Sequence, residues 1–489
     1  MSARPAPGRA LEAALLVAGA LLGAAAIRSG VGHHDEGLML AWADRIAAGQ
    51  WPYRDFWSNY PPGQALVDAL LVKAFGPSLL AWRIVRVLAG ALLAVVGFRL
   101  VRERGATPAV ALLAWAALAG ALAWPLTPGP SATAVLLGLS AVAVARRSVI
   151  AGAVLAGIGG AFRYEVGAAA ALGVMLVAPG TRAAWQAAAI AAGTTLLAML
   201  PFLIVAPGDV VDQTIGFLGI AGLQRTDLRL DPGGIGADPN KLLELWFPSF
   251  LLAAAAALAI WVVMCRPQRR DLAALPIVAV GAAYLLSRPD EFHLVPLSAG
   301  VAVASTVAWI GATSRWRGGW LVVVAVIALH GWERQAGVLL HPPAQAAVPG
   351  GVGDGVRMAS HEARALRRLI PRVRALTPGG GSVLVAPPRY DRVRVGDPLL
   401  NVLLRRPDPS RYDVIQPGVV TTAAVQREIA RDLRRRHTRV VVRWLGSAAR
   451  RVEANGSGRS SGVHLLDRAI ARDYRRLARY GDWLVLVRR

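Results

Sequence analysis

Gly32-His33-His34-Asp35-Glu36-Gly37 follows directly on the first apolar run of the chain and opens a polar loop rich in aromatic residues, Arg and Pro. An acidic pair is badly placed there for anchoring a membrane helix. It lies outside the hydrocarbon but within reach of a lipid headgroup. An enzyme would hold a carboxylate at that depth if one of its substrates were lipid-linked.

The chain around this loop reads as a polytopic α-helical membrane protein. Of its 489 residues 55% are hydrophobic, and Ala/Leu/Val runs recur through the first two thirds. The net charge of +24 is uneven: from Gly351 to Arg489, 29 Arg and no Lys face 12 Asp and Glu, an excess of 17. Such a tail, tethered to a membrane, is expected to meet anionic headgroups or acidic glycans and not nucleic acid. The single Cys265 excludes an internal disulfide and a Cys metal cluster. Arg4 and Arg9 precede the first apolar run with no clear cleavage site after it, so a retained first helix is expected.

A transmembrane helix takes about 20 apolar residues. Candidate spans are 11–27, 79–101, 107–124, 131–145, 149–162, 165–178, 184–206, 246–265, 271–287, 294–312 and 318–334, about eleven in all. Alternate connections carry Arg4/Arg9, Arg102/Arg104, Arg146/Arg147, Arg182, Arg266/Arg269/Arg270 and Arg315/Arg317. By the positive-inside rule all of these stay cytoplasmic. Merging 149–178 into one helix would send Arg266–Arg270 outside, so two spans are kept there. The opposite, extracytoplasmic face then collects the polar segments: the loop from Arg28, the Phe162-Arg163-Tyr164-Glu165 corner, the 207–245 loop, Ser287–His293 and the tail.

This reading divides the chain into a transmembrane domain, 1–334, with a large first outer loop, 28–78; a linker, 335–350; and an extracytoplasmic α/β domain, 351–489. Within the loop, Leu38, Trp42 and Ile46 repeat at helical spacing, with Gly49 as a stop, which predicts an interfacial helix. Prolines keep Trp51–Gly63 from being helical throughout. The segment 63–75 is too short to span and predicts a second interfacial or re-entrant helix. In the tail the pattern predicts a helix over 358–376 broken near Pro371, strands at Ser382–Ala386, Arg439–Trp444 and Trp483–Val487, and helices over about 421–437 and 465–479, with a parallel sheet as one arrangement. Gly350-Gly351-Val352-Gly353 and Gly379-Gly380-Gly381 read as linkers.

The pattern Asp35-Glu36-Gly37, then Ala43-x-x-Ile46-Ala47-x-Gly49-x-x-Pro52-Tyr53-Arg54-Asp55-Phe56, then Tyr60-Pro61-Pro62-Gly63, closely resembles the first outer loop of GT-C glycosyltransferases. Within that superfamily it is most similar to the protein O-mannosyltransferase and lipid A aminoarabinose transferase group. The resemblance covers about residues 11–105; beyond that it rests on topology, on Arg163-Tyr164-Glu165 and on Arg288-Pro289-Asp290-x-x-His293. It implies a membrane enzyme that takes a sugar from a polyprenyl-phosphate donor on the non-cytoplasmic face, with Asp35 at the catalytic acidic position. Tyr53, Arg54 and Asp55 lie inside the matched loop and are candidates for substrate binding.

Chemistry points the same way. Transfer from a phosphodiester-linked lipid needs a base for the acceptor's proton and cations for the leaving phosphate. Asp35 is the candidate base, and Glu36 either supports it or ligates a divalent cation, the one cofactor the loop could hold. Arg83 and Arg86, three apart at the outer end of a span, share a face and could grip phosphate, although snorkelling accounts for either. Arg163 and Glu165 could bind the donor or form a structural ion pair. Arg288, Asp290 and His293 open a span on the same face, where a helix cap would also explain Asp290. His33 and His34 cannot both point one way from a regular element, which argues against a metal held by the pair.

The expected function is therefore glycosyl transfer from a polyprenyl-phosphate sugar, with inversion, to a glycan, lipid or protein acceptor. The rival is a lipid-linked sugar flippase or transporter. Against it, the chain has no matching halves, and its ionisable residues gather at one face instead of lining a path. The tail, with Arg434, Arg435 and Arg436 as a basic cluster, is expected to hold the acceptor and do no chemistry.

Overall fold

The computed structural model describes residues 8–121, 130–225, 239–288, 293–342, 344–414, 416, 418–452 and 455–489. They form two compact units, each assembled from three stretches of chain. One comprises Met1–Ile27, Arg83–Pro201 and Asp227–Pro342; the other comprises Arg28–Trp82, Phe202–Thr226 and Pro343–Arg489. The stretch 335–350 holds the end of helix Ser314–Leu340 and strand Gln345–Ala347.

In the first unit each predicted span coincides with a helix: Arg9–Ala24, Leu79–Glu103, Pro108–Ala121, Ser131–Ala145, Val149–Gly160, Tyr164–Val177, Thr181–Val205, Pro239–Cys265, Leu275–Ser287, Leu294–Gly311 and Ser314–Leu340. Among the described residues six helices are long and apolar enough to cross a membrane, and four more are apolar but shorter. That makes the chain a multi-pass membrane protein. The break within 149–178 is explicit: Arg163 is extended (φ −149°), with a helix on either side. Small residues let these short helices close up, as apolar side chains alone gain little from association in lipid. A Cβ on Gly167 would collide with the backbone of Gly160, and one on Gly157 with Thr194.

The second unit is built on a four-stranded sheet in the order Val383–Ala386, Val440–Trp444, Trp483–Arg488, Tyr474–Tyr480. The first pair is parallel and the other two are antiparallel, so the sheet is mixed and not parallel. The predicted helix over 465–479 stops at Asp473, and Tyr474–Tyr480 is a strand. Gly481, at φ +54°, closes a tight turn that folds this strand onto Trp483–Arg488, and cross-strand pairing overrides local helical pattern. Helix Ser360–Leu376 runs unbroken through Pro371, which sits on the exposed face where water can satisfy the carbonyl it leaves unbonded. Gly350–Gly353 is not a linker: Val348, Val352 and Val356 are buried in the core there.

The second unit's main core joins the first loop to the tail. Leu38, Leu40, Trp42, Phe56 and Trp82 pack in one cluster with Val383, Leu399, Leu403, Val442, Trp483 and Val485. Helix Asp35–Ala47 is therefore a core helix and not an interfacial one, with every residue from Glu36 to Ala43 buried. Helix Gly63–Phe75 behaves otherwise. Its inner face holds a polar group in which Asp68 accepts from Gln64 Nε2 (2.8 Å) and Trp82 Nε1 (3.0 Å), and its outer face exposes Leu66, Leu70 and Phe75.

Candidate active site

Asp35 and Glu36 stand side by side in the first turn of helix Asp35–Ala47, where the helix N-terminus favours negative charge. Their surroundings differ. Glu36 is fully buried, and its Oε2 accepts from Gly32 N at 2.9 Å, closing the turn before the helix. Asp35 is half-buried, and among the described residues no hydrogen bond or ion pair engages its carboxylate. The structure thus places one carboxylate in the scaffold and leaves its neighbour free for chemistry.

The residues before Asp35 are held by the tail. His33 O accepts from Leu399 N (3.3 Å), and His34 Nδ1 accepts from Gly396 N (3.2 Å). His33 Nδ1 meets Asp397 Oδ1 at 3.1 Å, while its Nε2 lies 3.5 Å from Glu362. Burial pulls the His33 imidazolium down, but the attraction and hydrogen bond of Asp397, followed by those of Glu362, raise it from 6.5 to about 10. The two histidines have separate partners and do not converge as metal ligands.

Tyr53 lies inside the protein, in a left-handed conformation (φ 70°), with its hydroxyl donating to Tyr60 O at 2.8 Å. Its own carbonyl accepts from Gln213 Nε2 (2.9 Å) and from Arg411. Gln213, in the π-helical turn Asp212–Gly216, also accepts from Ser58 N at 2.9 Å. This placement gives Tyr53 a part in shaping the loop. Arg54 and Asp55 pair with each other at the surface (2.7 Å), and that hydrogen bond, ahead of opposing desolvation, sets the Asp55 carboxyl below its ordinary value.

The first unit brings Arg163, Glu165 and His293 together. Arg163 Nε donates to Glu165 Oε1 at 2.7 Å, its guanidinium lies 4.7 Å from the Tyr284 ring centroid, and that ring meets the His293 ring at a centroid distance of 4.0 Å, tilted by 54°. Tyr284, from inside a predicted span, is the member that sequence reasoning missed. Its one signal was a lone polar-tipped aromatic a turn before Arg288. Arg288 follows the same helix as its half-buried cap; Asp290 lies outside the described residues. Arg83 is fully buried and donates to Ile27 O at 2.7 Å, and Arg86 is buried one turn on. Arg434, Arg435 and Arg436 are exposed around the end of helix Ala423–Arg435, where cations suit the helix dipole.

Among the described residues, one group has the geometry to hold a metal ion: Asp391, His464 and Asp467 in the tail. Their carboxylates already serve Arg389, Ser460, Tyr390 N and Arg443.

No family model and no curated protein matches the chain. Among solved structures, ArnT from Cupriavidus metallidurans in the apo state aligns over 98% of this chain and 97% of its own, at 14% identity and a TM-score of 0.54. The Archaeoglobus fulgidus oligosaccharyltransferase in complex with Zn and sulfate aligns over 88% and 68%, at 11% identity and a TM-score of 0.46. Arabinofuranosyltransferase AftD from Mycobacteria aligns over 99% of this chain but 42% of its own, at 16% identity and a TM-score of 0.49. The end-to-end alignment with the first shows a shared fold.

Proposed function

From the fold of the GT-C superfamily, we propose that this chain is a glycosyltransferase that moves a hexose or pentose from a polyprenyl-phosphate donor to an acceptor on the extracytoplasmic face of the cell membrane. The observation that carries the reading is the free, half-buried Asp35 carboxylate beside a fully buried Glu36. As the acceptor hydroxyl attacks the anomeric carbon, its proton passes to Asp35. The bond from that carbon to the phosphate oxygen breaks, and polyprenyl phosphate leaves with the electron pair. A single displacement inverts the anomeric configuration. Arg83, Arg163, Glu165, Arg288, Asp290 and His293 are assigned to substrate binding, with the cations suited to the donor phosphate, and so are Tyr53, Arg54 and Asp55 of the first loop.

In this reading the chain crosses the membrane about eleven times, with the cytoplasmic side set by the Arg clusters and the loop and tail outside. The acceptor is a glycan, a lipid or a protein. A divalent cation, if one is used, would be held by Asp35 with the buried Glu36 behind it and is not needed for the displacement itself; loss of activity on chelation with EDTA would show that the reaction uses one.

The test uses purified protein with labelled polyprenyl-phosphate mannose and a labelled polyprenyl-phosphate pentose in parallel. Release of the lipid phosphate with sugar transfer is expected, and Asp35→Asn should lower the rate by about 10²–10⁴-fold while donor lipid still binds. Activity within about threefold of wild type would remove Asp35 from the mechanism. Movement of intact donor across a bilayer without cleavage would make the chain a transporter.

A further inference from the structure

We infer that Asp397, acting through His33, is a positioning residue for Asp35. The inference rests on the reading of Asp35 as the base. Asp397 is buried, and its two oxygens are committed in different directions: Oδ1 to His33 Nδ1 at 3.1 Å and Oδ2 to Trp483 Nε1 at 2.8 Å. The indole fixes the carboxylate, and the carboxylate fixes the imidazole. The ring packs against the cross-strand pair Trp444 and Trp483, with centroids 5.1 and 6.0 Å away, which limits its freedom to turn. One residue separates His33 from Asp35, and the backbone between them is tied again by His34 Nδ1 to Gly396 N. On the far side of Asp35, Gly37 lies so close to Leu399 that an added Cβ would fall 2.8 Å from its Cα. The free carboxylate thus stands in a stretch clamped on both sides by Gly396–Leu399, more than 350 residues away along the chain.

The electrostatics fit a clamp that stays charged. The titratable groups facing the imidazole among the described residues are Asp397, from the segment before helix Leu399–Leu404, and Glu362, from helix Ser360–Leu376, with His361 acting on Glu362. The sheet contributes the Trp444 and Trp483 rings. With its pKa raised to about 10, His33 is an imidazolium throughout the neutral range and keeps both carboxylates paired. The tail therefore does more than meet an acceptor: deletion from Gly351 would release the loop that presents the base, and donor hydrolysis would fall along with transfer.

The experiment compares Asp397→Asn, His33→Gln and Asp35→Asn, alone and combined, in the full chain in detergent. A displacement of about 1 Å at a reacting group can cost up to roughly 10²-fold, so Asp397→Asn and His33→Gln should each lower kcat of donor turnover by about 10- to 100-fold with KM little changed. In the Asp35→Asn background neither should add a further loss, since both act through Asp35; a merely structural defect would add to it. Hydrogen exchange provides a readout without substrate: residues 32–37 should lose protection in Asp397→Asn while the helices of the first unit do not. Asp397→Asn keeps the size of the side chain and the Trp483 bond, so it carries the test if His33→Gln fails to fold. Unchanged kcat and unchanged exchange in Asp397→Asn would overturn the inference and leave the proposed function standing. An active Asp35→Asn would sink the proposed function, and the inference with it.

Discussion

Two helices of 13 residues lie in the same loop, and their sequences promise the same fate. Asp35–Ala47 and Gly63–Phe75 are both short, mostly apolar and next to membrane helices. In the structure the first is enclosed by protein along its first half, with Leu40 only 2% exposed. The second keeps Gln64 and Asp68 inside and turns Leu66, Leu70 and Phe75 outward, Leu70 at 67% exposure. That is the reverse of a water-soluble amphipathic helix and suits a face against lipid. The helix that carries Asp35 is the one with the tail packed around it, as the proposed role of that carboxylate as a base requires.

The sharpest way to break the contrast is to truncate one leucine on each helix. Leu40→Ala should cost about 2–5 kcal/mol of stability, because it empties space in a closed core. Leu70→Ala should leave thermal unfolding in detergent nearly unchanged. Equal losses would mean that both helices are core helices.

Gly37→Ala comes next. The new methyl would press on Leu399 backbone, which cannot turn aside as a side chain could, and about 1–3 kcal/mol of destabilisation is expected. Gly76, at the end of the other helix, has open space around it but a backbone (φ +72°, ψ 170°) essentially confined to glycine, so Gly76→Ala meets no clash and only a backbone penalty of about 1–3 kcal/mol. Chemical denaturation of the two variants against wild type compares them.

The last expected effect is that of pH. The folded-state pKa of His33 is raised from 6.5 to about 10, so its contribution to stability is fully present below about pH 6.5 and is lost as pH rises towards 10. The melting temperature of wild type should therefore lose its lead over Asp397→Asn across that interval. A constant lead would show that the clamp is not ionic.

Much of this was legible along the chain. The apolar runs are helices because length and apolar content are local properties, and in lipid the backbone must satisfy its own hydrogen bonds. Strands Val383–Ala386, Val440–Trp444 and Trp483–Arg488 followed from runs of β-branched and aromatic residues. The loop pattern around Asp35-Glu36-Gly37 pointed to the fold that the comparison with solved structures shows. Tyr474–Tyr480, read as the end of a helix, shows the limit: its state depends on the partner strand beyond Gly481.

By itself the sequence determined where the membrane helices lie, which loop carries the acidic pair and what residue types could do the chemistry. Those are matters of composition, spacing and charge read within a window of a few turns. Only the tertiary structure decided that Glu36 is committed to the scaffold while Asp35 is free, that Tyr284 joins Arg163 to His293, and that Asp397 holds His33 from 364 residues away. No periodicity encodes such pairs, because they arise when packing brings distant segments into one core and leaves each buried charge to be satisfied by whatever group arrives beside it.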